Sequence, residues 1–190
     1  MRGERAPRRL GVLLGAVAVV CGAVASTGAQ VEPASIAALA RFDGVWYEVA
    51  SYGSWWQRGC TRDATLVVAV RSETEALLGS RCRAGVGVVA RNGRLVAARG
   101  ADHWKARFAP AIVTWLPAVW GDFWVLGHDQ GLTWFVVGER DHVRLSVFSR
   151  RVALDEASLA QAIALARRAG FDVGRLTRVV HDGDDWRSGR

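Results

Sequence analysis

Histidine and cysteine are both scarce in this chain of 190 residues. A zinc site needs three or four clustered cysteine, histidine or carboxylate ligands. The four histidines instead lie far apart, at predicted turns and strand ends, and none completes a ligand set with the cysteines: they are His103, His128, His142 and His181. The sequence therefore predicts no metal site, and nothing in it indicates a cofactor.

Motifs of the common enzyme classes are missing as well. The chain has no G-x-S-x-G nucleophile motif, no H-E-x-x-H zinc motif and no G-x-x-x-x-G-K phosphate loop. Gly85 and Gly87 alternate with small and β-branched residues, which is better interpreted as a loose connection between two strands. The sequence therefore favours a binding protein and predicts no catalytic residue.

The apolar run near the start of the chain is too short for a confident membrane span, which needs about 20 residues. It extends from Leu10 to about Ala25 and follows four arginines, Arg2, Arg5, Arg8 and Arg9. Basic residues followed by a short apolar run are typical of a secretory signal. Residues 1–25 are therefore predicted to direct export.

Two kinds of signal cleavage remain open. Ala23-Val24-Ala25 and Thr27-Gly28-Ala29 both have the small-x-small pattern that a signal peptidase cuts. Alternatively, a lipoprotein signal is cut before Cys21, and an acyl anchor on Cys21 then holds the protein at a membrane surface, although Val20 stands where Gly, Ala or Ser is usual. The protein is expected to be periplasmic, attached to the outer membrane, or secreted.

Much of the positive charge belongs to this signal. Removing residues 1–25 takes away four arginines and Glu4, and the formal net charge falls from +7 to +4. The remaining arginines are dispersed, without the basic and aromatic run that follows a phosphate backbone. Nucleic acid is therefore not an expected partner.

Once Cys21 is lost to the signal or to acylation, Cys60 and Cys82 remain as an even pair. In an exported protein, such a pair predicts one disulfide. Closing a loop of this size stabilises a fold by about 3 kcal/mol.

Short apolar or alternating segments recur between Gly44 and Arg150, which predicts an all-β sandwich or barrel. Arg91-Asn92-Gly93 is a hairpin signal, and two further polar turns separate the last strands, at 129–131 and 138–141. Eight strands are predicted, near 45–52, 60–70, 76–84, 93–100, 103–109, 122–128, 132–138 and 142–150.

After Arg150, the apolar residues no longer follow the spacing of a strand but that of a helix. Residues 154–170 have an apolar stripe at helical spacing, with Asp155 as N-cap and Gly170 as the C′ residue. We expect this helix to pack on the outside of the sheet. Leu176–Val180 is predicted to add a short edge strand.

Three segments resemble the lipocalin family, in particular its bacterial and apolipoprotein D-like members. They are Gly44–Ala50, with its Gly-x-Trp, Gln57–Cys60, and Val147–Arg150, with its closing Arg. The resemblance implies an all-β fold with one C-terminal helix, an eight-stranded antiparallel up-and-down barrel over residues 38–181. Residues 26–37 are then a linker and residues 182–190 a polar tail.

The resemblance also implies structural roles. Gly44, Trp46 and Arg150 are expected to close one end of the barrel, where the guanidinium stacks on the indole. Asp129 resembles the Asp of the second lipocalin motif. Ser146 departs from the Trp that bacterial relatives usually carry there, and we expect it to reshape the cavity.

Nine tryptophans against two tyrosines indicate aromatic walls for a cavity. Strict alternation places Trp104, Ala106 and Phe108 on one face, which we expect to point inward. Glu48 shares a face with Trp46. The other candidate ligand-binding residues are Trp55, Trp56, Trp115 and Trp120, expected at the rim, and Trp124 and Phe148, whose inward face the sequence does not decide.

An exported bacterial lipocalin is therefore expected, and not an enzyme. It binds a fatty acid, a lysophospholipid or a similar amphiphile for storage, transport or repair at the cell envelope. Two alternatives stay open. One is an enzyme on the same barrel, acting on a lipid or isoprenoid and favoured by a reactive thiol at Cys60 or Cys82. The other is a protein-binding module that uses the Trp-rich rim.

Overall fold

The computed structural model describes residues 31–32, 36–52, 59–98, 103–113 and 115–182. Short 3-10 helices cover Ile36–Phe42, Ala111–Val113, Pro117–Val119 and Val173–Arg175. The longer elements are β1 (Val31–Glu32), β2 (Gly44–Tyr52), β3 (Arg62–Ser72), β4 (Glu75–Ala84), β5 (Gly87–Ala97), β6 (His103–Arg107), β7 (Gly121–Asp129), β8 (Trp134–Gly138), β9 (Leu145–Ser149), α1 (Glu156–Arg168) and β10 (Thr177–Arg178).

Strands β2 to β9 form a closed antiparallel barrel. Each strand pairs with the next along the chain, and β9 returns to pair with β2, with Tyr47 opposite Ser149 and Glu48 opposite Phe148. Closure leaves these eight strands without an open sheet edge. The prediction of an eight-stranded up-and-down barrel with one C-terminal helix is confirmed.

The hairpin predicted at Arg91-Asn92-Gly93 is wrong. These residues lie inside β5, where Asn92 is opposite Gly79 and Gly93 is opposite Leu78. The turn lies earlier, at Gly85, whose φ of +58° is in the left-handed region. Gly93 allows close packing instead: a Cβ there would lie 2.4 Å from the Arg107 backbone oxygen and 2.7 Å from the Phe108 ring. Strand β5 therefore begins at Gly87 and not at Gly93.

Part of the predicted linker is structured. Strand β1 pairs with β7, placing Val31 opposite Asp129 and Glu32 opposite His128. Among the described residues, β6 pairs with β7 between Gly121 and Trp124, and β1 pairs with the later residues His128 and Asp129. The 3-10 helix that follows buries Leu39 and Phe42 against the inner core.

The barrel wall separates two hydrophobic clusters. The inner cluster lies within the barrel and includes Trp46, Leu66, Phe135 and Phe148. The outer cluster packs between the wall and α1, and includes Trp134, Val136, Val147, Leu159, Ala162, Ala166 and Phe171. Side chains alternate between the two faces along each strand, and both faces are covered here, which is why every residue of β8 and β9 is buried.

Helix α1 has the ends that the sequence predicts. The Asp155 carboxylate accepts a hydrogen bond from the Ser158 backbone N–H at 2.9 Å, and Gly170 has a φ of +89°. Phe171 then packs over Gly138, where any larger residue would collide with its ring. The predicted position of the helix, outside the barrel, is confirmed.

The chain returns to the barrel after the helix. Strand β10 pairs with β2, so the predicted edge strand is present but is two residues long. His181 then contacts the backbone oxygen of Glu48 at 2.8 Å and the Tyr47 ring edge-to-face. Within the described residues, no helix has the length and apolar character needed to cross a membrane.

Candidate functional site

The closed end of the barrel is built around Arg150. Its guanidinium lies 3.6 Å from the centre of the Trp46 ring and donates hydrogen bonds to the backbone oxygens of Arg41 at 2.9 Å and Val45 at 3.3 Å. Gly44, with a φ of +102°, leaves room for it, because a Cβ there would lie 3.2 Å from an Arg150 nitrogen. Burial lowers the pKa of Arg150. Gly44, Trp46 and Arg150 thus meet at one point.

Above this closure lies an apolar floor, which we define by Phe42, Leu95, Trp104, Phe123, Val125 and Phe135. Phe135 packs edge-to-face on Trp46 and stacks on Phe148. The gap between the floor side chains has a volume of about 10 Å³, roughly the space of one water molecule. The floor is therefore closely packed.

A belt of polar side chains lies higher on the inner wall. Glu48 is buried and lies opposite Phe148, so the two share the inner face. Ser146 lies opposite Val137, and Ser80 lies opposite Leu66, both residues of the inner cluster. The interior thus changes from apolar to polar toward the open end.

The open end contains a hollow, which we call the mouth hollow. It has a volume of about 690 Å³ and is lined by the β6–β7 and β8–β9 loops and by β5, with Trp120 and five charged residues: Arg91, Asp122, Glu139, Asp141 and Arg144. The size suits a small molecule, and the charges suit a polar group on it.

Two of these carboxylates are held in ion pairs. Asp122 accepts from Lys105 at 2.5 Å, and Glu139 accepts from Arg144, with both side chains largely buried. Burial raises the pKa of Glu139, although the hydrogen bond from Arg144 opposes the shift. Arg91 follows Ser80 onto the inner face, since the two are directly opposite. Two arginines therefore border the hollow.

The disulfide is confirmed: Cys60 and Cys82 are bonded and tie the segment before β3 to strand β4. Among the described residues, no group of three or more histidine, cysteine, aspartate or glutamate side chains is arranged to hold a metal ion.

A sequence model described as a lipocalin-like domain matches residues 37–181. This chain belongs to the lipocalin family. No curated protein matches the sequence at a significant level. Lipocalins generally bind small hydrophobic molecules for transport or storage and are not, as a rule, enzymes.

Solved structures have the same fold at low identity. Lobster apocrustacyanin A1 is 15% identical, covers 80% of this chain and 92% of its own, and has a TM-score of 0.59. Apocrustacyanin C1 is 14% identical, with 84% and 94% covered and a TM-score of 0.62. Insecticyanin from the tobacco hornworm Manduca sexta is 13% identical, with 83% and 86% covered and a TM-score of 0.59.

The aromatic residues predicted to bind ligand fall in different parts of this lipocalin. Trp104 and Phe148 belong to the inner cluster, together with Ala106, and Phe108 packs against it. Trp120 borders the mouth hollow beneath the Arg107 guanidinium, and Trp115 is 75% exposed. Trp55, Trp56 and Cys21 lie outside the described residues.

Trp124 is not a cavity residue, contrary to the prediction. It stacks on His103 with ring centres 5.9 Å apart and contacts Phe171 on the outer face of the wall. Its neighbours Phe123 and Val125 take the inward positions. Because α1 covers this part of the wall, both faces of β7 are apolar, and alternation gives no signal there.

Sequence reasoning missed the charged residues of the mouth hollow. The sequence pattern predicts a turn at Arg91 and a polar loop between the last strands at Glu139. Counting back in steps of two from inward Leu95 gives Arg91, and counting forward from Val137 gives Glu139. Counting alternate residues in this way requires correct strand ends, and the predicted start of β5 is wrong.

Asp129 has a structural role in the β7–β8 turn. Its carboxylate accepts hydrogen bonds from the backbone N–H groups of Thr133 at 2.6 Å and Trp134 at 3.0 Å, and from the Thr133 hydroxyl at 2.8 Å. The Asp that resembles the second lipocalin motif thus fixes a turn at the closed end.

Proposed function

We propose that this lipocalin binds one fatty acid, lysophospholipid or similar amphiphile, with the chain of the ligand in the barrel and its polar head in the mouth hollow. The observation that carries the proposal is the order of the inner wall, which is apolar at the floor, polar at the belt and charged at the mouth. A molecule with one apolar and one charged end fits this order in only one direction.

Arg91 and Arg144 favour an anionic head group. A guanidinium binds carboxylate and phosphate through paired hydrogen bonds. Arg144 already holds Glu139, so Arg91 is the arginine that we assign to the ligand. Because the floor is closely packed, we expect the acyl chain to displace side chains such as Phe123 as it enters.

We further propose that the protein is exported and serves lipid storage, transport or repair at the cell envelope. The basic, then apolar, N-terminal segment and the disulfide support export. Lipocalins are mostly extracellular or secreted. The disulfide also counts against the enzymatic alternative, which requires a reactive thiol at Cys60 or Cys82.

A titration tests the proposal. The exported protein is titrated with palmitate and with a lysophospholipid while intrinsic tryptophan fluorescence is followed. We expect saturable binding, weakened about tenfold by Arg91→Ala, since a charge-assisted hydrogen bond contributes about 1.5 kcal/mol or more.

Arg94→Ala is the matched control. Arg94 is on the same strand but points outward, where it pairs with Glu75 at 2.6 Å, so its loss should leave the affinity unchanged. If neither lipid binds, the assignment to this ligand class is wrong. If Arg91→Ala and Arg94→Ala bind as tightly as the unsubstituted protein, the head group does not lie at Arg91.

A further inference from the structure

The β6–β7 loop is unusually apolar for a surface loop. Residues 108–120 contain no charged side chain, and Thr114 is the only hydroxyl residue among them. Ile112 is 82% exposed and Trp115 is 75% exposed. Exposed apolar patches of this kind mark a surface that contacts a protein or a membrane.

The β4–β5 hairpin presents a second apolar tip. Val86 is fully exposed between Gly85 and Gly87, and Val88 is more than half exposed. In an up-and-down barrel, alternate connections lie at the same end, so this hairpin and the β6–β7 loop both lie at the open end. We call the described residues of these two segments, 84–88, 108–113 and 115–120, the docking loops.

The charged residues of the hairpin itself have one sign, although the carboxylates Asp122, Glu139 and Asp141 line the mouth hollow at the same end. Residues 80–92 include Arg81, Arg83 and Arg91 but no carboxylate. Arg83 pairs with buried Asp63 at 2.8 Å, and its side chain stays about half exposed. Arginines beside exposed apolar residues match an anionic lipid surface, where the head groups attract the cations and the apolar tips enter the interface.

We propose that the docking loops bind the surface of an anionic lipid bilayer and direct the mouth of the barrel toward it. Trp115 suits the head-group level, where tryptophan is enriched. Protruding tips such as Val86 suit a deformable bilayer better than the flat face of a protein.

This proposal goes beyond ligand binding and stands without it. An acyl anchor, if Cys21 carries one, would hold the protein near a membrane but would not orient it. The docking loops would do so, and a bound amphiphile would then pass between bilayer and barrel without crossing water.

Vesicle flotation tests the proposal. The exported protein carries Cys21→Ala, so that no acyl chain explains binding, and is mixed with vesicles of phosphatidylcholine alone or of phosphatidylcholine and phosphatidylglycerol in equal parts. We expect it to float with the anionic vesicles, less so at high salt, and to bind phosphatidylcholine weakly.

The double variant Ile112→Ser with Trp115→Ser should lower this binding about tenfold, because two large apolar side chains no longer enter the interface. Val86→Asp, on the other docking loop, should weaken it as well. Leu77→Ser is the matched control, since Leu77 is a partly exposed apolar residue on the side wall, and it should float like the parent.

Three results would overturn the proposal. The parent protein stays in the soluble fraction with both vesicles, or the double variant floats as well as the parent. In the third, neither protein floats, and sedimentation velocity shows that the parent is a dimer and the double variant a monomer. The loops are then an interface between copies of this chain.

Discussion

At the scale of the single residue, Arg150 joins three segments of the closed end. It stacks on Trp46 and donates to the backbone of Arg41 and Val45. We expect Arg150→Ala to lower the free energy of unfolding by about 2–3 kcal/mol, measured by urea denaturation, because the stacking and two charge-assisted hydrogen bonds are lost.

Arg150→Lys is the informative comparison. It keeps the positive charge but not the planar group. We therefore expect its free energy of unfolding to lie between that of the parent and that of the Ala variant. An Ala variant that unfolds at the same urea concentration as the parent would show that Arg150 does not hold the closed end together.

Glu139 gives stability a dependence on pH. Burial raises its pKa, so the folded protein holds this proton more tightly than the unfolded chain does. The free energy of unfolding therefore falls as pH rises from the ordinary glutamate pKa of about 4.5 toward the raised value. Glu139→Gln should reduce that fall, measured by urea denaturation at several pH values. Parallel stability curves for the two proteins would contradict this account.

At the scale of the element, α1 is docked by the residue that follows it. Phe171 is buried against Gly138, His142 and Trp124. We expect Phe171→Ala to lower the free energy of unfolding by about 3–4 kcal/mol in urea denaturation, since a buried ring is replaced by a cavity.

Val180→Ala removes an exposed apolar side chain and serves as the control, with an expected change under about 0.5 kcal/mol. Equal effects of the Phe171 and Val180 substitutions would mean that the ring does not hold the helix to the barrel.

The elements differ in how far the sequence predicts them. Helix α1 was predictable because its stripe, Asp155 cap and Gly170 all lie within a few residues of one another. Strand β5 was not, because Arg91-Asn92-Gly93 has the composition of a turn. Its glycine is instead required by the Arg107 backbone oxygen and the Phe108 ring, neighbours in space that the sequence does not identify. A turn signal read from neighbouring residues is misleading where residues distant in the sequence require the glycine.

At the scale of the whole molecule, the disulfide anchors the start of β3 to β4. Cys60 and Cys82 are 22 residues apart, and opening this link should cost about 3 kcal/mol through the entropy of the unfolded chain. We expect the double variant Cys60→Ser with Cys82→Ser to unfold at lower urea concentration while keeping the far-UV circular dichroism of the barrel. Unchanged stability would contradict this role.

The architecture was predictable, whereas the site was predictable only in part. Alternating segments predict a sandwich or a barrel, and the resemblance carried by Gly-x-Trp and the closing Arg150 implies the closed barrel. Trp104 and Phe148 were expected near the ligand and lie in the inner cluster, while Trp124 points outward. The direction of Trp124 depends on the helix packed outside β7, and the placement of Arg91 at the mouth depends on the register of β5. Both are properties of the assembled barrel.

The central claim is that the barrel holds one amphiphile per chain. Native mass spectrometry of the exported protein, mixed with excess palmitate or with excess lysophospholipid, measures that number directly. The account predicts a single added ligand mass on a folded protein for at least one of the two lipids, retained when further lipid is added. A protein that stays ligand-free with both, or that takes up a growing series of lipids without a limit at one, would contradict it.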